Sequence, residues 1–107
     1  MAFEAKGKNG QIILENNRII IKRKGFLSFL TQGLKGEKTI LIKNITSVQY
    51  KGAGFTSGYI QFSIMGGFEN KSGLIGAEHD ENTVLFGKNT ENDFLILKEY
   101  IENFDEN

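Results

Sequence analysis

Residues 52–58 read Gly-Ala-Gly-Phe-Thr-Ser-Gly, and Lys71-Ser72 follows in the next connection. Clustered glycines let backbone N–H groups cradle a phosphate, and a Lys-Ser pair can complete such a loop. That chemistry needs the glycines to deliver the chain into a helix. Here they precede an alternating run, Gly58 to Met65, and Asn70 stands where a phosphate loop would carry glycine. Both segments therefore read as connections between strands.

His79, in Glu78-His79-Asp80-Glu81, is the residue at which metal or acid–base chemistry would begin. Zinc sites draw on several His or Cys ligands, and this sequence has one His and no Cys. Calcium loops of the EF-hand kind need alternating acids followed by glycine, a spacing missing here. Without cysteine there are no thiol nucleophiles, and no Ser-His-acid set can be assembled around one polar His. The remaining carboxylates crowd a helix surface and an acidic loop, where solvation accounts for them. The expectation is a protein that is not an enzyme, with no catalytic residues, no metal and no cofactor.

The densest unexplained stretch is Lys22-Arg23-Lys24-Gly25-Phe26-Leu27-Ser28-Phe29-Leu30-Thr31-Gln32-Gly33-Leu34-Lys35-Gly36. A basic strand end runs into a short apolar segment. One reading makes the segment a helix or turn folded onto the core, stopped at Gly33. A second leaves Phe26, Leu27, Phe29 and Leu30 exposed as a contact surface for a protein partner or another copy. A third dips the aromatics into a membrane while Lys22, Lys24, Lys35 and Lys38 meet anionic lipid. Alternation sends Lys22 and Lys24 to one face of their strand and Arg23 to the other, so the three do not converge on one phosphate. For nucleic acid, the basic half lacks a stacking-aromatic module or a recognition helix.

Formal net charge is zero, yet unevenly spread: residues 1–51 carry ten basic and three acidic side chains, a net +7, and residues 52–107 carry a net −7. Such asymmetry bears on partners and self-association. The apolar runs are short, as at Ile19–Ile21 and Leu95–Leu97, and the first residues lack the apolar stretch of a secretory signal. The expected location is cytoplasmic. The absence of proline and the abundance of Lys, Ile and Asn suggest an AT-rich microbial or phage genome.

The elements that must position these residues are legible in the periodicity. With 107 residues there is room for one domain and one core. Period two marks strands at about 3–8, 11–15, 18–24, 38–42, 46–51, 58–65 and 82–86. Asn16-Asn17 makes a two-residue hairpin turn. In the strand from Gly58, the residues Ile60, Phe62 and Ile64 face the core and Tyr59, Gln61 and Ser63 face away, half-buried. Phe94, Leu97, Ile101 and Phe104, with Tyr100 alongside, form the stripe of a helix over about 91–104. Thr90 and Asp93 resemble a capping box, and the acidic far end predicts fraying of the last three or four residues. The fold expected is mostly β (α+β): about seven antiparallel strands in two orthogonal sheets or a partly open barrel, with one C-terminal amphipathic helix.

The order of Gly7, Ile42-x-x-Ile45-x-x-Val48, Gly58-Tyr59-Ile60-Gln61-Phe62, Glu81 to Phe86, and Asn92-Asp93-Phe94-Leu95 to Tyr100-Ile101 resembles a bacterial pleckstrin-homology-like family of unknown function. The resemblance covers residues 7–103 and rests mostly on core and turn positions. That family often carries a C-terminal helical module called SHOCT, and no SHOCT-like helix is seen up to Asn107. The resemblance implies a fold that hosts lipid binding, peptide binding and scaffolding. The function expected is a non-catalytic intracellular binding or assembly module contacting protein through residues 26–34. The alternative is a peripheral membrane module binding anionic lipid through the lysines beside them.

Overall fold

The computed structural model describes residues 2–23, 37–65 and 82–105. Seven antiparallel strands form two sheets, and one helix follows the last strand. The first sheet has the order β1 (Phe3–Lys6), β2 (Gly10–Glu15), β3 (Arg18–Arg23), β4 (Glu37–Leu41). The second has the order β5 (Ile45–Lys51), β6 (Gly58–Ile64), β7 (Thr83–Phe86), and α1 spans Glu91–Glu102. Among the described residues no ladder joins the two sheets, so the strands form no closed barrel.

The hairpin read from Asn16-Asn17 is present, with Glu15 opposite Arg18 and Ile12 opposite Ile21. That register aligns Ile12, Leu14, Ile19, Ile21 and Ile40 on one face, all buried. Ile60, Phe62, Val84 and Phe86 answer from the second sheet, and Phe94, Leu97 and Ile101 from α1. Ile60, Phe62, Val84, Phe86, Phe94 and Leu97 are essentially inaccessible. Phe94 lies nearly flat on Phe86, with ring centroids 4.5 Å apart, which fixes the helix against β7.

Among the described residues, two backbone joints hold the sheets together. At one, a 3-10 turn (Ile42–Asn44) carries the chain from β4 into β5, and Ile42 N–H donates to Asn17 O at 2.9 Å. At the other, the β1–β2 turn docks on the free edge of β7. Lys8 N–H donates to Leu85 O at 2.7 Å, and Asn9 Oδ1 accepts from Leu85 N–H at 2.8 Å. Glycine is needed at position 7, since a Cβ there would meet Leu85 O and lie 2.7 Å from Val84 Cγ1. The pairing of β5 and β6 shifts register between Ile45 and Ser47, and Thr46 Oγ1 donates to Ser63 O at the irregularity.

Two expectations are corrected. β6 is buried on both faces, with Tyr59 at 9% and Ser63 at 8% exposure, so it is a central strand rather than a half-buried one. Thr90 occupies the N-cap of α1 but makes no side-chain cap hydrogen bond. A 3-10 turn (Lys88–Thr90) leads directly into the helix and leaves Thr90 at ψ 6°, away from the extended geometry a capping hydroxyl needs. α1 ends at Glu102, and Phe104 beyond it packs, partly buried, against the core. Asn103 closes the last turn, its backbone N–H and its Nδ2 both donating to Glu99 O, at 3.1 and 2.8 Å.

Candidate binding surface

The apolar segment with Phe26, Leu27, Phe29 and Leu30 lies outside the described residues, as do Lys24, Lys35 and the acidic stretch around His79. Of the four lysines read as lipid contacts, Lys22 and Lys38 are described, and the fold separates them. Lys22 stands opposite Glu37, whereas Lys38 stands opposite the buried Ile21 and shares its inner face. A charge on the inner face of an edge strand deters pairing with a further strand. Arg23 shares the inner parity too, and its Nη1 donates to Thr83 O at 2.6 Å. The strand ends that bound residues 24–36 and 66–81 are thus tied together at Arg23 and Thr83.

Two shallow recesses open on the described surface. One, of about 180 Å³, is lined by Asn17, Leu41, Lys43 and Phe104. The other, of about 290 Å³, is lined by Ala2, Glu15, Asn16, Asn17 and Arg18. The second places Glu15 beside Arg18, its partner across the hairpin. Among the described residues no three His, Cys, Asp or Glu side chains gather as a metal cage, and no helix is long and apolar enough to cross a membrane. Thr83 Oγ1 and Asn9 Nδ2 are buried without a hydrogen-bond partner at the seam around β7.

Tyr50 is a titratable group that the fold perturbs strongly. Its hydroxyl donates to Glu91 Oε2 at 2.8 Å, and Lys98 Nζ stands 5.9 Å from its ring centroid. Burial, and next the carboxylate that accepts its proton, push the phenol well above its ordinary range. The arrangement ties β5 to the first turn of α1 and keeps the phenol protonated. It clamps the strand to the helix.

The glycine loop at 52–58 joins β5 to β6 and leads into a strand, as its sequence context indicates. Its middle residue had no role in the sequence reading. Phe55 is 111% exposed, and a Cβ on its neighbour Gly54 would touch nothing within 4 Å, so the tip projects into solvent. Lys51 Nζ donates to Thr56 Oγ1 at 3.2 Å, and Lys8 Nζ donates to Ser57 Oγ at 2.8 Å. Two ammonium groups therefore stand at the base of an exposed aromatic ring. The available signal was a phenylalanine between glycines that fits no strand period.

These features define a mostly-β domain of two antiparallel sheets and one C-terminal helix. The chain belongs to the family described as Domain of unknown function (DUF4429), matched over residues 13–102. No curated protein and no solved structure matches it.

Proposed function

We propose that the chain is a non-catalytic binding or assembly module of pleckstrin-homology-like architecture, which works by surface contact inside the cell. Support for the architecture comes from two antiparallel sheets, of four and three strands, followed by a helix that packs into their common core. That is the layout the resemblance implies. The observation that carries the contact reading is the surface itself. Its described recesses are shallow and its prominent feature is a fully exposed aromatic on a basic loop. A ring exposed to this degree is available for contact, and lysines stand beside it.

The protein-contact role is assigned to Phe26, Leu27, Phe29 and Leu30, the densest apolar cluster outside the core elements. The test is the pair Phe29→Ser and Leu30→Ser. A folded variant with a lower mass in light scattering supports the proposal, because a contact patch loses only intermolecular burial. A variant that unfolds makes the segment core and removes this contact surface. The four-lysine lipid reading draws less support, since Lys22 and Lys38 occupy opposite faces of their sheet.

A further inference from the structure

From the β5–β6 loop we infer a second contact: Phe55 and the lysines beside it dock the domain on an anionic lipid bilayer. The inference rests on reading the chain as a contact module, and it names a site and a partner that the 26–34 segment does not supply. The ring is wholly outside the protein envelope, on a loop whose tip carries no packing constraint at Gly54. Burying it elsewhere in the same molecule would require the loop to fold back. A short internal bond, Gly54 N–H to Thr56 O at 2.9 Å, holds the tip turned outward.

Charge selects the partner. Lys51 and Lys8 are held at the loop by Thr56 and Ser57, and each ammonium retains donors for a phosphate or carboxylate oxygen. Lys88 is exposed just past the rung that pairs Gly58 with Phe86, on the same rim. A carboxylate, Glu91, stands beside Gly52 at the loop base, on the side of α1, and accepts from the Tyr50 hydroxyl. A rim of lysines around a projecting ring suits an acidic surface.

Size selects a bilayer over a protein. Stable protein interfaces bury on the order of 1,600 Å² in total, with a shaped pocket for each anchor. One phenyl ring offers roughly 150–250 Å². A bilayer accepts a lone ring without complementarity, while each nearby lysine adds about fivefold to the partition coefficient. The attachment is weak for one copy and strengthens steeply if several copies are held together.

The chain contains no Trp, so Phe55→Trp supplies a single reporter. Its emission should shift to the blue with vesicles of phosphatidylcholine containing phosphatidylserine, and stay unchanged with phosphatidylcholine alone. In co-flotation, Phe55→Ser should lower partitioning roughly tenfold, and Lys8→Gln or Lys51→Gln about fivefold each. Raised salt should weaken what remains. Because Phe55 is fully exposed and packs in no core cluster of the described residues, Phe55→Ser should melt like the parent. The inference is overturned if the reporter does not shift, if the protein partitions equally onto neutral vesicles, or if Phe55→Ser floats like the parent. It is equally overturned if Phe55→Ser changes only the mass in light scattering, which makes the loop a protein contact. None of these results touches the Phe29 and Leu30 test, so the contact-module reading stands or falls separately.

Discussion

Phe94 and Phe62 show what a single side chain contributes here. Both are buried completely or nearly so, one stacked on Phe86 from the helix, the other on the inner face of β6. Phe62→Ala or Phe94→Ala should cost about 3–5 kcal/mol in denaturant unfolding, enough to threaten a domain of this size. Parent-like midpoints in both would sink the placement of the core. These residues were legible because period two and period 3.6 each assign a face without tertiary knowledge. The Tyr50–Glu91 bond was not, since it joins residues that only the fold brings together. Tyr50→Phe removes it and should cost about 1 kcal/mol at neutral pH. It should also change the alkaline limb. The folded-state phenol holds its proton above the pH, about 10, at which the unfolded chain releases it. Parent stability therefore falls as pH rises through about 10 toward the folded value, where the unfolded state binds fewer protons. Unfolding titrations at pH 8 to 11 should show a shallower decline for Tyr50→Phe. Parallel curves would mean that the clamp does not perturb the phenol.

The elements of the fold depend on two close approaches that no single periodicity reveals. At Gly7 the β1–β2 turn lies against β7, so close that a methyl group would strike Leu85 O and Val84. Gly7→Ala should destabilise by about 1–3 kcal/mol through overpacking. Gly54→Ala, whose new methyl meets nothing, should be neutral or slightly stabilising. Thermal melts of the two side by side make the comparison, and an equal loss in both would show that the joint at Gly7 is not tight. Strand positions came out of the sequence within a residue or two, and so did the hairpin at Asn16-Asn17, because turn chemistry and alternation agree there. The helix cap was misread because Thr90 and Asp93 have the right spacing, while the preceding turn sets the wrong backbone angle for a capping hydroxyl. β6 was misread as half-buried because polar Gln61 and Ser63 alternate with apolar residues. The structure shields that second face as well. Phe55 escaped notice for the opposite reason: a loop aromatic has no period to betray it, and its exposure is visible only in three dimensions.

At the scale of the whole molecule, charge separation along the chain becomes separation between elements. Residues 91–105, which contain α1, hold Glu91, Asp93, Glu99, Glu102 and Asp105 against Lys98 alone. The first 51 residues carry most of the cations, among them the exposed Lys6, Lys8, Lys43 and Lys51. The ion pairs Lys6–Glu4 and Lys98–Glu102 each join near neighbours in sequence and so leave this polarity in place. A net charge of zero removes overall repulsion, so copies can approach with the acidic helix of one facing the basic strands of another. Light scattering in about 20 mM salt at neutral pH should therefore report an apparent mass that rises with concentration. It should fall in about 0.3 M salt, where the screening length drops below about 8 Å. Glu99→Lys with Asp105→Lys should abolish the salt-sensitive part by weakening the negative pole and adding net charge. An association through Phe29 and Leu30 behaves oppositely, because apolar burial is maintained or strengthened as salt increases. A mass that is independent of salt, or that rises with it, would therefore refute the electrostatic contact and point back to the apolar segment.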